Sequence, residues 1–183
     1  MGDAAVEASA LRWSITAMSD MTAGLSQVRA SDRPRAFAAI EETVWGVTIV
    51  DAAMVRDHIG VYDAVLAEQA PAERRAIEET LAGLRFVRNR IGHGVDPPEF
   101  VESDRPGEGK ALLTGWTWKS VPRPALASLP PRARAWETTR YEAYQAQLAG
   151  HTIGEIFERA TAFLNLTAAK AASIRDNSGH AAP

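Results

Sequence analysis

Residues 72–94 read AERRAIEETLAGLRFVRNRIGHG, and this stretch decides the fold. Ile77, Leu81, Leu84, Arg88 and Ile91 recur at steps of three and four, and Val87 widens the stripe. That period is an amphipathic helix, not a strand. Gly92, Gly94, Pro97 and Pro98 end it. The last turn concentrates the polar chemistry: Arg88, Asn89 and His93 stand close together, with Arg90 between them.

Upstream, Ser31-Asp32-Arg33-Pro34 is a helix start, a capping residue followed by proline in the first turn. The helix it opens is predicted to run from Arg33 to about Glu68. Its stripe is Ile40, Val44, Val47, Asp51, Met54 and His58, and Gly60 marks a kink or break. Residues 4–30 lack proline and place Leu11, Ile15, Met18 and Leu25 on one face, a further helix. Asp51 and Arg88 are charged residues inside two apolar stripes. Their pairing between packed helices is the simplest structural account of both.

Downstream, residues 95–133 hold most of the prolines and a glycine-rich turn, Arg105-Pro106-Gly107-Glu108-Gly109. Ala111 to Val121 is predicted to form one or two short strands around Gly115, and Pro122, Pro124, Pro130 and Pro131 stiffen the rest. Helix returns over about 132–148. Thr152 and Glu155 form a capping box that opens a last helix to about Ile174. The expectation is a single domain over 1–183. It is an all-α bundle of about five helices, with 95–133 as an inserted loop or small hairpin and 176–183 as a flexible tail.

Composition narrows the function. The net charge is only −3, which argues against a broad electrostatic grip on duplex nucleic acid. There is no cysteine, so disulfides, thiolate metal sites and a cysteine nucleophile are excluded. No apolar run reaches the roughly 20 residues of a bilayer span, and no leader pattern precedes the first helix. The expectation is a cytoplasmic protein without membrane contact. His58, His151 and His180 have no metal-ligand spacing, so no metal or other cofactor is implied. Gly107-Glu108-Gly109-Lys110 lacks the remaining residues of a phosphate loop.

On a helix, Asn89 and His93 are one turn apart and share a face, while Arg88 points about 100° away from Asn89. A histidine near neutrality suits proton transfer, and an arginine holds phosphate oxygens in pairs. Arg85 and Arg90 flank the motif and widen the basic surface, or are simply solvated. Trp116 and Trp118, two apart on a strand, would share a side next to Lys119. Such a set either stacks single-stranded RNA or packs a loop onto the core. Glu41, Glu42 and Asp57 read as solvated carboxylates.

Arg88-Asn89-Arg90-Ile91-Gly92-His93 resembles the signature of the HEPN superfamily: an arginine, usually followed by a polar residue, and a histidine after four to six intervening positions. The helical context over residues 33–94 and 134–175 is similar as well. The resemblance implies a metal-independent ribonuclease of defence or toxin–antitoxin systems. Two copies would pair their motifs in one composite site, with an antitoxin or neighbouring defence protein as a further partner. Arg88 would contact the scissile phosphate, His93 would serve as general acid or base for attack by the ribose 2′-hydroxyl, and Asn89 would orient the phosphate or His93. Apart from the resemblance, the residues themselves make Asp51 a candidate orienter or partner of Arg88 and Arg85 a supporting arginine beside the motif. Some toxin members carry a tyrosine two residues after the histidine, where this chain has Val95. The other readings are a non-catalytic helical module that binds RNA or a partner protein, and a scaffold with a merely buried ion pair.

Overall fold

The computed structural model describes residues 3–29, 31–102 and 113–179. Among them the architecture is an all-α bundle: α1 (Asp3–Leu25), α2 (Arg33–Asp57), α3 (Ile59–Ala67), α4 (Pro71–Gly92), α5 (Pro131–Gln147) and α6 (Ile153–Gly179). Two short strands, β1 (Val101–Glu102) and β2 (Thr117–Trp118), pair antiparallel between α4 and α5. None of the described helices is long and apolar enough to cross a membrane.

α2 begins where its capping signal stands. The Asp32 carboxylate accepts from the Arg35 amide at 3.4 Å. Its predicted stripe is its buried face, since Ile40, Val44, Val47, Asp51 and Met54 are all inside. The predicted continuous helix to Glu68 is instead two helices. The chain leaves helical geometry at His58 (φ −137°), two residues before Gly60, and α3 restarts on the His58 carbonyl. This break produces the sixth helix, and it has a packing reason. Along an unbroken helix, Asp51 and Tyr62 would be separated by about 16 Å of rise. The bend lets the Tyr62 hydroxyl donate to Asp51 Oδ1 at 3.0 Å.

The partner of Asp51 corrects the sequence expectation. Arg85, not Arg88, reaches it: Arg85 Nε donates to Asp51 Oδ2 at 2.5 Å, and Nη2 joins the same oxygen. α2 and α4 run antiparallel, so Arg88 lies one turn beyond Asp51, toward the start of α2. There its guanidinium carbon sits 5.2 Å over the Trp45 ring. Burial pushes the Asp51 carboxyl above its ordinary range, and Arg85 and Tyr62 only partly offset that.

α4 is the central helix, packed on α2, α5 and α6. Gly83 faces α5 so closely that an added Cβ would lie 2.6 Å from Leu148 Cδ1 and 3.1 Å from Tyr144 Cα. A glycine in a helix interior is otherwise unfavourable, and here it sets the α4–α5 spacing.

Among its described residues, the excursion between α4 and α5 is mostly a cover for the core. Phe100, Val101, Leu113, Trp116 and Trp118 are buried in it. Of the one or two short strands predicted over Ala111–Val121, one is present, β2; Leu113–Gly115 is a 3-10 turn, and β2 pairs with β1 rather than across Gly115. The backbone closes further onto the α5–α6 link, with Ile153 N donating to Trp116 O at 2.7 Å. Tyr144 donates its hydroxyl to Lys119 O at 2.5 Å, tying the excursion to α5. The capping box forms as predicted: Thr152 N donates to Glu155 Oε2 at 3.0 Å, and Glu155 N to Thr152 Oγ1 at 3.2 Å. α6 continues past the predicted end at Ile174 to Gly179. The turn at 105–109, the segment Gly107–Lys110 and His180 lie outside the described residues.

Arg85→Ala strands the fully buried Asp51 and is expected to lower the unfolding free energy by about 3–5 kcal/mol at neutral pH. Arg88→Ala, which leaves that pair intact, is expected to lower it by about 1–2 kcal/mol. Without Arg85 the folded protein takes up a proton that the unfolded chain releases. Burial raises the Asp51 carboxyl and Arg85 opposes that rise, so the deficit of Arg85→Ala shrinks as pH falls from neutrality toward the ordinary carboxylate range. Urea unfolding curves across that range check both the ranking and the sign.

Candidate functional site

The end of α4 is built to hold the motif in place. Gly94 adopts the left-handed conformation (φ +85°). Val95 N donates to Arg90 O at 3.1 Å and Gly94 N to Ile91 O at 2.9 Å. This pair of bonds satisfies the last carbonyls of the helix and requires a residue that tolerates positive φ. Val95 then folds back against the core. His93 caps the helix, its amide on the carbonyls of Asn89 and Arg90 at 3.1 Å each, and its side chain is exposed.

Asn89, Arg90 and His93 line one side of a groove of about 450 Å³. The opposite side comprises Pro124, Leu126 and Leu129 from the loop before α5, and Trp136, Glu137 and Arg140 from α5 itself. The predicted neighbourhood of Asn89 and His93 is therefore present, and it opens onto a real concavity.

A polar chain leads from Arg88, behind the groove, to Asn89, Glu137 and Arg140, which line it. Arg88 Nη2 donates to Asn89 Oδ1 at 3.2 Å. Asn89 Nδ2 donates to Glu137 Oε1 at 2.8 Å. Arg140 Nη1 donates to the same oxygen at 2.7 Å. Asn89 is thus held by both ends of its amide, and its orientation is defined by a cation on one side and a carboxylate on the other. Glu137 is paired with Arg140, whose positive charge offsets the repulsion this carboxylate exerts on a negatively charged ligand near Arg90 and His93.

Arg88 and His93 do not face the same way. Five helical positions place them about 140° apart. Arg88 lies over Trp45 and lines a second cavity of about 500 Å³ with Leu11, Ile49 and Ala53. Its Nε is buried and has no hydrogen-bond partner among the described residues. Only its Nη2 reaches toward the groove, through Asn89. Arg85 is spent on Asp51 and does not line the groove. Asp51 therefore supports the packing of α2 on α4 and is not a partner of the motif arginine.

The tryptophan expectation is corrected. Trp116 is 2% and Trp118 1% exposed. Trp116 packs edge-on against Phe37, and Trp118 against Tyr144 and Phe157, so neither ring can stack a base. With Thr117 buried as well, this strand has no free face. Lys119 donates Nζ to the Pro98 carbonyl at 2.7 Å and lines a neighbouring cavity with Arg90.

Sequence reasoning missed Glu137, Arg140 and Trp136. The spacing of Glu137 and Arg140 signals an i,i+3 pair on one helix and nothing more. Their partnership with Asn89 depends on the α4–α5 contact at Gly83.

Glu137→Ala removes the acceptor that Asn89 and Arg140 share. It is expected to destabilise the fold by about 1–3 kcal/mol and to free the Asn89 amide. Glu137→Gln keeps an oxygen for Asn89 and is expected to lose less than about 1 kcal/mol. Denaturation curves, with the Asn89 side-chain amide resonances as a local probe, distinguish the two.

Comparison with known protein families, characterised proteins and solved structures yields no match for this chain.

Proposed function

We propose that this protein is a HEPN-like, metal-independent endoribonuclease of the cytoplasm, acting as a homodimer on single-stranded or looped RNA in a defence or toxin–antitoxin setting. The observation that carries the reading is the meeting of His93 and Asn89 on one groove, with Arg88 bonded to Asn89 behind them.

In this reaction the ribose 2′-oxygen attacks the adjacent phosphorus and the bond from phosphorus to the 5′-oxygen breaks. The products are a 2′,3′-cyclic phosphate and a free 5′-hydroxyl. One group must take the 2′-hydroxyl proton and another must supply a proton to the leaving oxygen. His93, exposed on a capped helix end, is free to approach either position. Arg90 beside it, and the Arg88–Asn89 pair behind it, supply the donors that a phosphate with growing negative charge needs. In a homodimer a second His93 would provide the complementary acid or base.

A second reading rests on the orientation of Arg88. Its stacking on Trp45, away from the groove, suits a structural arginine in a helical module that binds RNA or a partner protein without cleaving.

Purified protein incubated with single-stranded RNA in excess EDTA is expected to release fragments ending in 2′,3′-cyclic phosphate. His93→Ala should lower that rate by about 10²–10⁴-fold while leaving the helical circular dichroism unchanged. Equal cleavage by His93→Ala, or cleavage that requires a divalent metal, rules the mechanism out. Binding of RNA by wild type without any cleavage favours the second reading.

A further inference from the structure

The groove has a second half that the proposed chemistry does not use. On α5, Ala133, Trp136, Glu137 and Arg140 follow one another at helical spacing, and all four line it. Trp136 is 53% exposed, among the largest apolar surfaces that the described residues offer to solvent. An indole that lines a groove together with apolar side chains offers a flat surface on which a ligand can pack.

The loop that lines the groove with it is apolar and held in place. Pro124, Leu126 and Leu129 supply its apolar side chains. Arg134 Nη2 donates to the carbonyls of Ala127 and Leu129 at 3.1 Å each, fastening this loop to the start of α5. The Arg132 guanidinium carbon lies 4.7 Å over the Trp136 ring, so a cation already covers part of one face of the indole.

The lining of the groove therefore combines two chemistries. α4 supplies Arg90, His93 and the hydrogen-bonded Asn89; α5 and the loop before it supply an indole and apolar side chains. A ligand that matches both carries an anionic group joined to a flat, apolar, aromatic one. An unpaired nucleotide within an RNA strand has that form: a phosphodiester for the cationic residues and a base for the indole. Trp116 and Trp118, buried in the core, leave Trp136 as the aromatic residue placed for this.

We infer that Trp136 is the stacking platform for a single unpaired base adjoining the phosphodiester at His93. This rests on the ribonuclease reading and assigns the groove's specificity for unpaired over paired RNA. A base held in a duplex cannot offer its face to the indole without being unstacked first. Trp136 touches the substrate base and takes no part in proton transfer.

The test uses the full chain and a short fluorescein-labelled single-stranded RNA with 2′-O-methyl sugars, which block attack and allow equilibrium binding by anisotropy. Trp136→Leu, which keeps apolar packing but removes the aromatic face, is expected to raise Kd about 10-fold or more. Trp136→Phe should stay within about 3-fold of wild type. An abasic site scanned along the oligonucleotide should weaken wild-type binding sharply at one position, and Trp136→Leu should show no further loss there. That absence of additivity is a signature that a merely structural tryptophan would not produce. Equal Kd values for wild type and Trp136→Leu, or abasic losses that are the same in both, overturn the platform. Metal-independent cleavage that persists with such a result leaves the ribonuclease reading standing. Failure of the wild type to bind the oligonucleotide overturns the platform, and absence of cleavage as well overturns the ribonuclease reading.

Discussion

A carboxylate with no exposure to water, Asp51, constrains how the bundle is put together. Its charged form is disfavoured by burial, and only close donors make its position tolerable. Arg85 arrives from α4 and Tyr62 from α3. The first bond registers α4 along α2, and the second accompanies the break at His58, because a continuous helix would carry Tyr62 out of reach. Tyr62 is itself buried, and burial with the neighbouring Asp51 charge keeps its phenol protonated and available as a donor. Once Arg85 is committed to Asp51, Arg88 is carried one turn on to Trp45 and Asn89.

A second constraint turns that register into a groove. α4 and α5 approach closely at Gly83, where a methyl group would collide with Leu148 and crowd Tyr144. Farther along the same antiparallel pair, the short distance lets Asn89 bond Glu137. The excursion takes part by packing rather than by presenting its strand. Phe100 and Trp118 bury themselves around Tyr144, and the Tyr144 hydroxyl bonds the Lys119 carbonyl. The loop that follows is thereby held near α5 and becomes the apolar wall of the groove. The motif at the end of α4 acquires its surroundings from residues about forty to fifty positions away, such as Glu137 and Trp136.

The legible parts of the sequence were those governed by local rules. The stripes of α2 and α4 were readable because burial selects apolar side chains at helical period. The starts at Asp32 and Thr152 were readable because an N-terminal turn needs side-chain acceptors, and the stop at Gly94 because a left-handed residue is nearly always glycine. Asp51 stood out as a buried charge awaiting a partner, but which arginine met it was not legible. Arg85 and Arg88 lie three residues apart on one helix, and only the axial register of α2 against α4 separates them. Trp116 and Trp118 were ambiguous for a related reason. Two aromatics and a lysine on a short strand suit a stacking surface and a core plug equally well, and whether α5 and α6 close over them is a long-range fact.

By itself, then, the sequence determined an all-α chain, the main helix starts and stops, the buried faces of α2 and α4, and the placement of Arg88, Asn89 and His93 at a capped helix end. These follow from backbone hydrogen bonding, side-chain period and the steric freedom of glycine, each acting over a few residues. Tertiary structure decided that Asp51 takes Arg85, that Arg88 and His93 face different sides and communicate through Asn89, and that Trp136 rather than Trp116 or Trp118 lines the groove. Those outcomes depend on how far one helix slides along another and how closely two helices can approach. A displacement of one turn, about 5.4 Å, would exchange the partners while leaving every local pattern in the sequence as it is.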